Sequence, residues 1–154
     1  MTPLDVRRLN RWRYPGAYAR YDLEGIAQEI YQSGAVVACF GPILIGYFCF
    51  DEAARVPAGT HLMAYPETDC LDIGLGMAPW LCGRGRGLAF LQRGMAYARD
   101  RLHARRFRLT VIAENRRAFS VYQQAGFAIA RSFSVVQPEE TIQFYVMCTP
   151  EPHK

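Results

Sequence analysis

The chain has 154 residues, 51% of them hydrophobic, with 18 basic against 14 acidic side chains and a formal net charge of +4. That length and apolar share suit a single domain over residues 1–154 with a sizeable core, and no apolar run approaches the roughly 20 residues of a membrane-spanning helix. The five cysteines, Cys39, Cys49, Cys70, Cys82 and Cys148, form neither a CxxC pair nor a cluster with histidine, which argues against a zinc site and for reduced, mostly buried thiols.

The N-terminus Met1-Thr-Pro-Leu-Asp lacks the basic-then-apolar pattern of a leader, so the expected location is the cytoplasm. Almost all the positive charge is arginine, since the only lysine is Lys154. A planar guanidinium suits phosphate recognition, but charge alone does not choose among nucleic acid, lipid headgroups and a phosphorylated cofactor.

The segment from Leu4 to Tyr31 mixes arginines with aromatics and predicts one or two helices, the clearest spacing being Leu23, Ile26, Ala27 and Ile30. Ala35 to Phe40 and Pro42 to Asp51 read as two strands of a hairpin turned at Gly41-Pro42. Glu52 to Thr68 reads as a polar loop, and Cys70 to Met77 as a strand that stops before Pro79. Leu88, Leu91, Met95, Ala98 and Leu102 recur at spacings of three and four, which predicts a long amphipathic helix. The arginines at 99, 101, 105, 106 and 108 read as its solvated end. A strand is expected over Phe107 to Ala113 and a helix over Asn115 to Ala125, capped by Asn115 and stopped by Gly126. Strands over Phe127 to Val136 and Thr141 to Cys148 close the chain. This order implies an α/β fold built on one mixed sheet with helices on its faces.

The chemistry concentrates in Cys82-Gly83-Arg84-Gly85-Arg86-Gly87, between a strand and the long helix. Alternate glycines let the main chain turn so that successive amides converge, and the helix start behind them adds positive potential, together an anion cradle. The spacing is neither a dinucleotide fingerprint nor a Walker A loop, which would need a following lysine with serine or threonine. A basic nucleic-acid binder using Arg-Gly-Arg-Gly is a rival reading, but the strongly periodic helix from Leu88 argues against it.

These residues resemble the GNAT superfamily of N-acetyltransferases, whose cofactor turn is written Gln/Arg-x-x-Gly-x-Gly/Ala. Cys82 stands where the pattern has Gln or Arg, while Arg84 with Gly87 and Ala89 satisfies it in a register two residues on. A second signature is similar in Val111-Ile-Ala-Glu-Asn115-Arg-Arg-Ala118-Phe-Ser-Val-Tyr122-Gln-Gln-Ala-Gly126-Phe127. The resemblance implies a mostly antiparallel twisted sheet of six to seven strands, about four helices, and a splayed strand pair that receives pantetheine. It implies acetyl-CoA as cofactor and an amine as partner, with no nucleic acid or membrane; oligomeric state is left open, a homodimer included.

The cofactor-binding residues it implies are Gly76, Met77, Ala78, Cys82, Gly83, Arg84, Gly85, Arg86, Gly87, Leu88, Asn115, Ala118 and Tyr122. Asn115, Ala118 and Tyr122 fall at i, i+3 and i+7 and so share a helical face. Gly74 and Gly76 weaken a strand interior unless a ligand or bulge requires them. The implied reaction is direct attack of a neutral amine on the thioester through a tetrahedral intermediate, with Tyr122 as general acid toward the leaving thiolate. Asp72 is the candidate base, with Glu67, Asp69 and His61 as alternatives. Trp12, Tyr14, Tyr18 and Tyr21 are expected to help shape the acceptor pocket. A non-catalytic acyl-CoA-binding module is the alternative.

Overall fold

The computed structural model describes residues 1–151, so Lys154 lies outside the described residues. Among the described residues six strands lie side by side in the order β1-β2-β3-β4-β6-β5. β1 (Val36–Phe40) and β2 (Ile43–Phe50) form an antiparallel hairpin. β3 (Cys70–Met77) runs parallel to β4 (Arg106–Ile112), and β6 (Thr141–Cys148) is antiparallel to both β4 and β5 (Ala128–Val136). The sheet is therefore mixed and mostly antiparallel, as expected. The parallel register of β3 with β4 covers three pairs, Cys70 to Asp72 against Arg106 to Arg108, and both strands continue past it. No helix is long and apolar enough to cross a membrane among the described residues.

The chain forms two compact units, Met1–Cys49 with Leu75–Arg86, and Phe50–Gly74 with the residues from Gly87 onward. Neither is a continuous segment, because the chain passes from one to the other at the end of β2, within β3 and again at the start of the long helix.

In the first unit, α1 (Pro3–Leu9) begins with a capping box. Thr2 Oγ1 accepts from the Asp5 amide at 3.3 Å and the Thr2 amide donates to Asp5 Oδ2 at 2.8 Å, which satisfies donors a helix start leaves open. A 3₁₀ segment (Gly16–Tyr21) and α2 (Ala27–Gln32) follow. Sequence spacing placed the second helix earlier, at Leu23; Leu23 is buried in the turn before it, and its spacing to Ala27 marks a shared inward face. Val6, Leu9, Trp12, Leu23, Ala27, Leu44 and Ala78 form the core of this unit, with Tyr14 and Tyr47 packed on its margin.

In the second unit, the segment read as a plain loop contains a 3₁₀ turn (Asp51–Ala54) and α3 (Pro57–His61). Its proline is at the helix start, where the missing N–H does no harm, and so was a start signal that resembles a loop signal. Gly59 lets α3 approach closely: a Cβ there would lie 2.8 Å from both Phe133 Cζ and the Tyr65 hydroxyl oxygen.

The long helix α4 (Gly87–Leu102) buries Phe90, Leu91, Gly94, Met95 and Ala98. The apolar stripe is thus centred slightly off the predicted one, with Leu102 43% exposed at the helix end. Arg106 and Arg108 do not belong to that helix end, which corrects the sequence reading. Both lie on β4, and Arg108 is fully buried. α5 (Arg116–Gln124) carries Asn115 as its cap and is followed by Gly126 at φ +92°. Of the cysteines, all free, Cys70 and Cys148 are buried, Cys49 and Cys82 are intermediate, and Cys39 is exposed.

Candidate active site

The end of β3 and the turn after it lie in the first unit. Gly76 sits beneath the ring of Tyr47 on β2: a Cβ on Gly76 would come within 2.2 Å of Tyr47 Cε1. The aromatic ring covers the space a side chain would fill, so this strand glycine is a packing requirement. Ala78 is fully buried and donates its amide to the Ile45 carbonyl at 2.9 Å. Its backbone donor is therefore engaged by β2 and is not free for a cofactor. Backbone groups of successive strand residues face opposite edges, so those of Met77 face away from β2. The Met77 carbonyl accepts from the Tyr14 hydroxyl at 2.9 Å and from the Cys82 thiol at 3.6 Å.

After the 3₁₀ turn Pro79–Leu81, residues Gly83 to Arg86 are exposed. Gly83 and Gly85 have φ of +69° and +70°, the left-handed conformation that glycine adopts without strain. Left-handed residues at alternate positions make a concave run of amides suited to an anion. The amides of Gly83 to Arg86 donate to no acceptor among the described residues, and neither Arg84 nor Arg86 is ion-paired there. The turn is thus exposed, positively charged and has unengaged donors.

In the second unit, α4 opens at Gly87, whose added Cβ would meet Val121 Cγ2 of α5 at 3.0 Å. Leu88 after it is half-buried. Asn115 Oδ1 accepts from the Ala118 amide at 3.2 Å, the N-cap bond that starts α5. Asn115, Ala118 and Tyr122 are all half-buried, and the Tyr122 ring packs at a tilt on Phe127 with centroids 6.3 Å apart.

Asp72 has a different environment from that of a base. It is 2% exposed, and Arg108 grips it twice, Nε to Oδ1 at 2.6 Å and Nη2 to Oδ2 at 2.7 Å. Arg55 Nε adds a third bond to Oδ2 at 2.7 Å. Both carboxylate oxygens are therefore engaged by guanidinium groups, and the expected base role is corrected to that of a buried ion-pair centre. Burial works against the Arg108 charge, but Asp72 and Glu67 outweigh it and push its pKa further up. The network continues through Glu67, which bonds Arg108 Nη1 at 3.1 Å and Arg131 with both oxygens. Tyr65 lies against Arg55 and Arg108, with guanidinium carbons 5.6 and 5.0 Å from its ring centroid.

The bond from Arg131 leads the effects that lower the Glu67 pKa from 4.5 to about 2. A depressed folded-state pKa contributes stability that is fully present above the ordinary value and is lost as pH falls through the folded one. Glu67→Gln is therefore expected to lower the thermal midpoint at pH 7, with the difference from wild type shrinking as pH drops from about 4.5 toward 2. Thermal scans across that window check it, and a difference that does not vary with pH contradicts it. The other alternative bases are no better placed. Asp69 pairs with Arg106 at 3.0 Å, which lowers its pKa, and His61 is exposed at the end of α3.

Sequence reasoning did not identify Tyr47, Arg55 or Arg108 as partners of these residues. Gly76 was the one usable signal, since a strand glycine invites a cross-strand ring.

A family model described as the acetyltransferase (GNAT) family matches residues 4–127. The chain belongs to the GNAT acetyltransferase family. Solved structures with the same fold include a candidate phosphinothricin N-acetyltransferase, 14% identical, with a TM-score of 0.73 over 99% of this chain and 96% of that one. A variant of the spermidine N-acetyltransferase of Vibrio cholerae is 18% identical, with a TM-score of 0.64 over 97% and 91%. A candidate acetyltransferase from Salmonella typhimurium, solved with its cofactor acetyl-CoA, is 14% identical, with a TM-score of 0.58 over 82% and 70%. At such identities the likeness establishes the fold alone. No curated protein matches the chain. GNAT enzymes use acetyl-CoA and an amine acceptor, and family membership supports an acyltransferase.

Proposed function

We propose that this GNAT protein transfers an acetyl group from acetyl-CoA to a primary amine by direct attack, with no acyl-enzyme. The observation that carries the reading is the turn from Cys82 to Gly87: exposed over residues 83–86, left-handed at two glycines, carrying two arginines that make no ion pair among the described residues, and leading into a 16-residue helix. Converging amides at a helix start suit a diphosphate, and the guanidinium groups of Arg84 and Arg86 add charge. When bound, acetyl-CoA supplies the thioester carbonyl. The edge of β3 at Gly76 and Met77 would hold the pantetheine amides, and the Met77 amide would stabilise charge developing on the carbonyl oxygen. Asn115 and Ala118 on α5 and Leu88 on α4 are proposed as further cofactor contacts. Tyr122 would protonate the departing thiolate, because a phenol of ordinary pKa about 10 is matched to a thiol of similar acidity.

No carboxylate is assigned as base. The carboxylates weighed, Asp72, Glu67 and Asp69, are each held by arginine, so the acceptor is proposed to enter as the neutral amine. The proposed setting is the cytoplasm, with acetyl-CoA and the amine as partners and no nucleic acid; a homodimer is compatible with this reading.

The test mixes the protein with acetyl-CoA and spermidine, phosphinothricin, an aminoglycoside or a tripeptide with a free N-terminus, and follows thiol release. Amine-dependent release is expected with at least one. Stabilisation by acetyl-CoA without release from any amine would favour the binding-module reading, and neither response would sink both. Gly85→Val places a β-branched residue at φ +70° and is expected to weaken acetyl-CoA binding about tenfold or more, read by titration calorimetry.

A further inference from the structure

We propose that Tyr14 is a positioning residue for acetyl transfer: with the Cys82 thiol, its hydroxyl fixes the Met77 carbonyl and so sets the strand edge that presents the Met77 amide. This rests on the reading of the chain as an acetyl-CoA-dependent transferase. Three contacts around one peptide carry it. Tyr14 donates to the Met77 carbonyl at 2.9 Å, the Cys82 thiol reaches the same oxygen at 3.6 Å, and the amide of the next residue, Ala78, is bonded to Ile45 at 2.9 Å. The peptide joining Met77 to Ala78 is thus held at both ends, and a rigid planar unit held at both ends has little freedom to rotate.

Tyr14 is itself held in place. Its amide donates to Asp22 Oδ1 at 2.8 Å, and its ring packs at the margin of the core formed by Leu9, Trp12 and Leu44. On the neighbouring residue, the Tyr47 ring lies over Gly76, so consecutive β3 residues are braced by two tyrosines from outside the strand. Cys82 lies immediately before the glycine turn and is tied to the end of β3, reaching the carbonyls of both Met77 and Ala78. Cysteine in place of Gln or Arg therefore has a local use, as a short donor folded back onto the strand rather than an arm reaching outward.

Tyr14 is a fixed donor and not a second acid. Burial, reinforced by Tyr47, Cys82 and Asp22, pushes its ionisation above the usual phenol range, and its proton is directed at a carbonyl. The consequence is a loss of alignment without a change in protonation chemistry.

The experiment uses Tyr14→Phe, which keeps the ring and deletes the donor, assayed with acetyl-CoA and whichever amine of the panel releases thiol fastest. Expected are a fall in kcat of about tenfold to a hundredfold, acetyl-CoA affinity within about threefold of wild type, and no displacement of the pH limbs of kcat. Cys82→Ala is expected to lower kcat in the same way, and the double variant to lose more than the product of the single losses, because each donor partly covers for the other. A Tyr14→Phe enzyme with wild-type kcat overturns the proposal. So does a variant that fails only by unfolding, or one whose loss appears as a shifted pH limb. Absence of amine-dependent release in the wild type would instead overturn the transferase reading, so the two failures are distinguishable.

Discussion

Asp72→Ala is expected to destabilise the protein by about 3–5 kcal/mol, because it leaves the fully buried Arg108 guanidinium without its bidentate partner. For a chain of this size that corresponds to a fall in thermal midpoint of about 6–20 °C. The cost is that of a buried guanidinium whose Nε and Nη2 lose their acceptors and which keeps only Glu67, at 3.1 Å, as carboxylate partner. Arg55 is 26% exposed at its side chain and can turn to water, whereas Arg108 at 0% cannot. Replacing Asp72 and Arg108 together by apolar residues of similar volume is therefore expected to be milder than Asp72→Ala alone. Thermal scans of the variants decide the matter. A variant that melts within about 2 °C of wild type while losing kcat and the acidic limb of its pH profile would restore Asp72 as a base.

Tyr122→Phe is expected to lower kcat by about 10²- to 10³-fold, with acetyl-CoA affinity little changed. The ring packs on Phe127 and phenylalanine preserves that contact, so the thermal midpoint should stay close to that of wild type. Deleting a proton donor that acts on the leaving group removes an interaction made only as the thiolate departs, so the loss falls on kcat and not on binding. Steady-state kinetics with varied acetyl-CoA separates the two parameters. An unchanged kcat would exclude Tyr122 as the acid, and a loss confined to KM would make it a cofactor contact. Tyr14→Phe is the natural comparison, since it too loses a phenol, but one directed at a backbone carbonyl.

These two expectations mark where the sequence was readable and where it was not. Asn115, Ala118 and Tyr122 were legible because helical spacing is local: cap, small residue and tyrosine fall on one face by periodicity alone, and α5 starts and stops at the predicted signals. The glycine turn was legible for a similar reason, since left-handed backbone at Gly83 and Gly85 is a property of glycine itself. β3 and β6 match their predicted limits because β3 is an alternating apolar run that stops before Pro79 and β6 a β-branched and aromatic run that stops before Thr149-Pro150.

Asp72 misled because a carboxylate on a strand reads alike whether it faces a substrate or an arginine. Its partners, Arg55 and Arg108, lie 17 and 36 residues away in sequence. Arg108 was taken for a solvated helix end because neighbouring arginines outside α4 share its charge, and only the β4 register carries it inward beside Asp72. Ala78 was assigned to the cofactor by its position after the strand, while its amide had already been engaged by β2.

By itself the sequence determined the order of the strands and of α4 and α5 among them, the glycine turn, the cap and face of α5 and the family to which they belong. All of these depend on backbone preferences and periodicities that act over a few residues. Tertiary structure decided which polar groups are neutralised and which backbone groups are held, as with Asp72 between two arginines and the Met77 carbonyl under Tyr14. Burial and pairing come from strands brought together over tens of residues, and the pattern of one segment carries no record of what will lie against it.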